Sequence, residues 1–334
     1  MNIARLTVDI QAAQEKRQQS FDKTPDGACL PTGSLSPNLQ PATPPVFPCT
    51  KEPFAASIVG GRYVLLEQQE GSAMYRSVHV NTHEEFSCKV IPNERCRQSL
   101  AGHLRLDGQP HINQIEEVLM GETMSYVFFR RSYGDLHSYV RAKRRLREPE
   151  ALRLFQQIAS AVAACHEAGV VLRDLKLRKF VFEDPERTRL KLETLEDAVV
   201  LDDPELDQLS DKHGCPAYVS PEILTTTTGG RYSGRAADCW SLGVMLYTLL
   251  VGRYPFHDGD PGALFAKIRR GNFSVPESLS ARARCLVRSL LRRDPAERLS
   301  AEEVLDHQWF RKNSRRDGGT SREDSDQTVP EWCA

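Results

Sequence analysis

Two kinds of apolar spacing divide the chain. Between residues 63 and 129 the apolar positions fall in short alternating or continuous runs, which predict strands at Tyr63-Val64-Leu65-Leu66, Tyr75 to Val80, Glu85-Phe86-Ser87-Cys88-Lys89-Val90 and Ser125-Tyr126-Val127-Phe128-Phe129. Beyond residue 130 the spacing becomes helical. Leu152, Phe155, Ile158, Ala159 and Val162 share one face of a helix over Glu148 to His166, and Ala236 to Leu250 reads as another, apolar almost all round. Lys179-Phe180-Val181-Phe182 and Leu190-Lys191-Leu192-Glu193 read as two further short strands. After the third strand, Pro92, Gly102, Gly108 and Pro110 interrupt the pattern and predict a helix that is short, bent or displaced. The expected fold is α+β and bilobal, with a small β-rich lobe over 58–130 and a large helical lobe over 131–310.

Both ends lose this periodicity. Residues 1–57 are rich in Pro, Ser, Thr and Gln, with Pro37, Pro41, Pro44, Pro45, Pro48 and Pro53 breaking any regular element, and 311–334 is a polar tail; both predict disorder. Across 334 residues the formal net charge is -1, which argues against a protein that coats nucleic acid. The nine cysteines are scattered, odd in number and without metal-ligand spacing, so a reducing compartment, cytoplasm or nucleus, is expected and a metal site is not. No stretch is long and apolar enough to suggest a membrane span. One local exception to the charge balance is Arg141-Ala142-Lys143-Arg144-Arg145-Leu146-Arg147, which reads as solvated surface, a nuclear localisation signal or an anionic docking patch.

Candidate chemistry lies between the two helical runs. Leu172-Arg173-Asp174-Leu175-Lys176-Leu177-Arg178-Lys179 resembles the catalytic loop of protein kinases, His-Arg-Asp followed by an Asn that holds a magnesium ion. Arg173 and Asp174 match, but Leu172 replaces the His and Lys179 puts a cation where a cation's ligand belongs. Thr194-Leu195-Glu196 aligns with Asp-Phe-Gly, so the second metal ligand is also lost, to Thr194, and Glu196 falls two positions late. In Gln68-Gln69-Glu70-Gly71-Ser72-Ala73-Met74-Tyr75 only Gly71 survives of the glycine-rich phosphate loop. Lys89 stands at the position of the third-strand lysine, yet no Glu occurs between Arg95 and His111 to orient it. Lys89 and Asp174 therefore read as vestigial. Gly214 to Glu222 resembles the segment ending in Ala-Pro-Glu, and Glu222 with Arg298 is expected to form a structural rather than catalytic ion pair.

The stretches Leu172 to Phe180, Leu195-Glu196-Asp197, Ser210 to Tyr218 and Tyr232 to Asp238 resemble the Tribbles pseudokinase family, over a match running from about residue 60 to the C-terminus. The Met-Asn-Ile start and Ser34-Leu35-Ser36-Pro37-Asn38-Leu39 are nearer that family's first and second members than its third. The resemblance implies a scaffold in both nucleus and cytoplasm. Its pseudokinase domain holds transcription factors of the CCAAT/enhancer-binding type, in a region around Leu195, Glu196 and Tyr218. Its tail recruits an E3 ubiquitin ligase of the constitutive-photomorphogenic type through Asp326, Gln327, Val329, Pro330 and Glu331. Leu305, His307, Trp309 and Phe310 match the family's docking motif for MAP-kinase kinases, with Gln308 for Pro, and equally match the packed end of a kinase's last helix. The implied cofactor is none, and the alternative kept open is weak, metal-independent ATP binding or autophosphorylation through Lys89 and Asp174.

Overall fold

The structure, a computed structural model, describes residues 57–69, 74–227 and 229–311. Its smaller lobe is one six-stranded antiparallel sheet in the order β1-β2-β3-β4-β6-β5, formed by β1 (Ser57–Val59), β2 (Tyr63–Gln68), β3 (Met74–His79), β4 (Glu85–Pro92), β5 (Ile115–Met120) and β6 (Met124–Arg130). Two of these strands escape the sequence pattern. Ser57, placed with the N-terminal region, opens β1. In β5 the adjacent Glu116 and Glu117 hide the alternation; both are held by partners, Glu116 by Arg130 at 2.6 Å and Glu117 by Arg62 and by the hydroxyl of Tyr63 at 2.8 Å. Lys89 lies at mid-sheet in β4, opposite Met74 on one side and Val127 on the other.

The helix after Lys89 is neither short nor interrupted. α1 (Asn93–Arg105) runs 13 residues with Pro92 at its N-cap, where a missing N–H costs nothing. Gly108 and Pro110 lie beyond its end. Gly102 lies within it because of packing: a Cβ there would come 3.1 Å from the Cβ of Leu195. The glycine lets the helix close down on the segment that follows the strand pair.

In the larger lobe α2 (Leu136–Lys143) and α3 (Glu148–Glu167) precede the strand pair β8 (Phe180–Phe182) and β9 (Leu190–Leu192). Two-stranded pairings of β7 (Val170–Val171) with β10 (Val199–Val200) and of β11 (Gln208–Leu209) with β12 (Tyr232–Ser233) brace the loops around them. The rest is helical: α4 (Pro221–Thr225), α5 (Gly234–Val251), α6 (Pro261–Arg270), α7 (Ala281–Leu290) and α8 (Ala301–Asp306). A helix apolar all round belongs in a core. α5 is such a helix, buried at 15 of its 18 residues and capped by Ser233, whose Oγ accepts the Ala236 N–H at 3.1 Å.

Candidate functional site

The catalytic-loop segment is anchored from below by one buried carboxylate on α5. Asp238 is 1% exposed; its Oδ2 accepts the backbone N–H of Leu172 at 2.8 Å and its Oδ1 that of Arg173 at 2.9 Å, with His166 Nε2 3.0 Å from Oδ2. A buried charge is tolerated when such donors satisfy it. Between these anchors and Asp174, Arg173 adopts φ 64, the left-handed region that few non-glycine residues occupy. The Arg173 guanidinium pairs with Asp211 farther along the chain.

Around Asp174 the charges are arranged in reverse of a metal site. Its Oδ1 accepts the N–H of Cys215 at 3.1 Å, and its Oδ2 is 2.5 Å from Lys176 Nζ and 3.6 Å from Lys179 Nζ. Lys179 Nζ is also 2.5 Å from Asp197 Oδ2, so its ammonium bridges two carboxylates. Burial alone would raise the Asp197 carboxyl, but Lys179, with His213 and Lys176, outweighs it and holds Asp197 below the usual carboxylate range. Thr194 is 8% exposed and offers at best a hydroxyl. A divalent ion needs several oxygen donors and open coordination positions. Here a fixed cation, the Lys179 ammonium, already sits between Asp174 and Asp197, and the residues do not fit a magnesium ion. Among the described residues, no three His, Cys, Asp or Glu side chains are grouped so as to hold a metal.

A second displaced pair occupies the nucleotide side. Lys89, 7% exposed, is paired with Glu196, whose side chain is 38% exposed. The carboxylate that a kinase helix would bring to this lysine therefore comes from the segment after β9. The same segment is latched to α1 by His103: its Nδ1 lies 3.0 Å from the Asn113 carbonyl and its Nε2 accepts the Leu195 N–H at 3.3 Å. Burial lowers the His103 pKa to about 4, with the Asn113 carbonyl opposing and Lys89 adding, so the imidazole is neutral and serves as donor on one nitrogen and acceptor on the other. Glu193, half-buried, is pushed up to about 7 by burial, with Lys89 opposing and Asp135 and Glu196 adding. It carries only part of a charge at neutral pH.

The expected substrate-contacting residues fare unequally. Leu195 is 2% and Tyr218 4% exposed, the first under α1 and the second against the ring of Tyr254, so neither side chain offers a surface; Glu196 alone of the three is accessible. Glu222 and Arg298 come together as a two-bond pair at 2.6 and 2.7 Å, and Arg298 further donates to the carbonyls of Ala236, Arg292 and Arg293. In the C-terminal motif Trp309 is buried near Phe155, its indole N–H directed at Glu148 Oε2 at 3.4 Å, while Leu305, His307 and Phe310 are half-buried. Packing is the reading that Trp309 satisfies. Gly71 and the tail residues Asp326, Gln327, Val329, Pro330 and Glu331 lie outside the described residues. Sequence reasoning missed Asp197, His103 and Glu193; the available signal was two lysines, Lys89 and Lys179, without partners beside two unexplained acids, Glu196 and Asp197.

Comparison with known proteins agrees with this geometry. The protein kinase domain model matches residues 68–310. Tribbles homolog 2 of Canis lupus familiaris is 54% identical over 339 residues, 99% of this chain and 96% of that protein. Tribbles homolog 1 of Homo sapiens is 57% identical over 272 residues, covering 81% and 72% of the two chains, and Tribbles homolog 3 of Rattus norvegicus 46% over 344 residues, covering 99% and 95%. With a kinase domain whose cation-binding positions hold lysine and threonine and with relatives of this similarity over its whole length, the chain belongs to the Tribbles family of pseudokinases.

Proposed function

We propose that this protein is a non-catalytic adaptor whose kinase-like domain holds a protein substrate and whose tail delivers a ubiquitin ligase to it. The observation that carries the reading is the bridging ammonium of Lys179, 2.5 Å from Asp197 and 3.6 Å from Asp174. Phosphoryl transfer depends on positioned cations that neutralise charge developing on the phosphates. A lysine tied to both nearby carboxylates supplies no metal and leaves Asp174 engaged rather than free to accept a hydroxyl proton. The Lys89–Glu196 pair likewise withdraws the lysine from nucleotide phosphates. Both features disfavour the alternative of metal-independent nucleotide chemistry.

The adaptor reading assigns substrates of the CCAAT/enhancer-binding type to the surface of the segment between Glu196 and Gly214, since Leu195 and Tyr218 are buried. It assigns ligase recruitment, by a constitutive-photomorphogenic type enzyme, to residues 326–331, where an extended Val-Pro pair among acids suits a small pocket. MAP-kinase kinases, if held at the end of α8, would meet Leu305, His307 and Phe310, with Trp309 withdrawn. Action in nucleus and cytoplasm follows from those partners. The test is ligase pull-down by the full chain, comparing wild type with Val329→Ala/Pro330→Ala while the level of a CCAAT/enhancer-binding protein is followed. Loss of both ligase binding and substrate turnover supports the adaptor; unchanged ligase binding sinks the tail assignment.

A further inference from the structure

The basic cluster at 141–147 has no part in the site above, and the fold splits it. Lys143 turns toward α3, where its Nζ is 2.7 Å from Glu150 and 2.6 Å from the Tyr139 hydroxyl. Arg141 and Arg144 instead line a groove of about 750 Å³ between α2, α6 and the chain leaving α5, together with Arg253. All three arginines are exposed and none has an ion pair among the described residues, whereas Arg62, Arg76 and Arg130 of the small lobe, and Arg131 just after it, are each paired with a glutamate. No Asp or Glu lines the groove among the described residues. Asp258, next in the chain to the lining His257, is paired with Lys267 at 2.8 Å.

Beneath the arginines the apolar surface comes from Tyr254, Pro255 and Phe273, each partly exposed, backed by the buried side chains of Val140, Tyr247 and Phe256. The Tyr247 hydroxyl donates to the Ser274 carbonyl at 3.0 Å, which fixes the lining stretch of chain at Ser274 to the central helix. The rim is rigid. Gly252, at φ 80, brings its backbone so close to Arg144 that a Cβ there would lie 1.9 Å from the Arg144 carbonyl oxygen, and Leu146 N–H donates to the Leu249 carbonyl at 2.8 Å. The arginine-bearing turn is thus fastened to the end of the central helix. A site formed before its ligand arrives loses less entropy on binding, and a volume near 750 Å³ falls within the ordinary range of about 300–1,000 Å³ for ligand sites.

From unpaired guanidinium groups around a partly exposed aromatic wall, we propose that this groove docks an acidic segment of a partner protein, its carboxylates on Arg141, Arg144 and Arg253 and an apolar side chain seated against Tyr254 and Phe273. Charge complementarity selects the class: three cations with no opposing acid call for anions, and the apolar wall gives a bare inorganic anion nothing to bury. This groove is separate from the segment between Glu196 and Gly214, so the proposal does not rest on the adaptor reading.

The experiment is fluorescence anisotropy with the full chain and a short fluorescein-labelled peptide of alternating Asp and Glu carrying one Phe. Arg141→Glu/Arg253→Glu reverses two exposed charges; it is expected to weaken binding about tenfold, each exposed pair being worth a few tenths to one kcal/mol and two attractions becoming repulsions. Thermal melting verifies that the variant is folded. Arg288→Glu/Arg293→Glu, on a different basic surface beside Pro295, is expected to leave the affinity within about twofold. Replacing the peptide's Phe with Ser should cost about another tenfold. Equal loss from both arginine pairs, or an unchanged affinity without the Phe, overturns the proposal in favour of diffuse charge attraction. Tighter binding of duplex DNA than of the peptide overturns it in favour of a nucleic-acid surface. A tenfold gain on Glu323→Lys/Asp324→Lys/Asp326→Lys overturns it in favour of the chain's own tail as occupant.

Discussion

Replacing Lys179 by Asn returns the side chain that the kinase pattern would place there and removes the cation on which the site is built. Asp174 Oδ2 and Asp197 Oδ2 lie 3.6 and 2.5 Å from the same ammonium, so they are at most about 6 Å apart. Two unit charges at that separation repel by about 3 kcal/mol at an effective dielectric near 20. Asp197 keeps 28% of its side chain in solvent, which screens the pair and brings the expected loss to about 1–2 kcal/mol. In a domain of this size that is a fall in Tm of roughly 3–6 °C. Magnesium should then reverse the loss, because two carboxylates and an amide oxygen are hard donors, and a ligand at about 100 times its Kd adds about 2.7 kcal/mol. The assay is thermal unfolding of wild type and Lys179→Asn with and without millimolar magnesium chloride, at matched ionic strength. If wild type gains as much from magnesium as the variant, or if the variant melts unchanged without it, Lys179 is not acting as a resident cation.

Three further substitutions probe the frame of the site. Glu193→Gln should stabilise the protein in a pH-dependent way: the carboxyl, raised from 4.5 to about 7, favours the folded state fully below about 4.5 and loses that contribution as pH rises through 7. The neutral variant therefore gains under about 1 kcal/mol at pH 5 and up to about 3 at pH 8, and a gain independent of pH in denaturant titrations contradicts the placement of Glu193. Glu222→Ala strands Arg298, whose side chain is 1% exposed, and should cost about 3–5 kcal/mol in the same titration; a loss under about 1 kcal/mol means the three carbonyls suffice. Gly102→Val pushes a branched side chain into Leu195, and slower or faster hydrogen exchange at the Leu195 amide distinguishes a tightened from an opened latch, with faster exchange expected.

The kinase fold was legible from periodicity and from registers such as Asp238-Cys239-Trp240, because helix and strand periods are local properties that a chain displays without being folded. The loss of the metal ligands was legible for the same reason, since Lys179 and Thr194 are read directly against neighbours a few residues away. The reading failed where side chains had non-local partners: β5, not predicted, carries Glu116 and Glu117 for Arg130 and Arg62, and α1, predicted short, bent or displaced, carries Gly102 for Leu195. A residue written for a contact elsewhere looks like a breaker in its own stretch.

By itself, then, the sequence determined which groups are present and which are absent: two lysines, no Asn, no Asp-Phe-Gly aspartate, a basic run at 141–147. Tertiary structure alone decided what each group meets. Lys89 and Glu196 are 107 residues apart in the chain, and no periodicity links them. Whether Arg141 and Lys143 face the same surface depends on a helix's rotation against its neighbours, and the fold sends one to an open groove and the other to Glu150. Charge pairing acts through space over a few ångströms, so its outcome exists only once the lobes have brought distant residues that close.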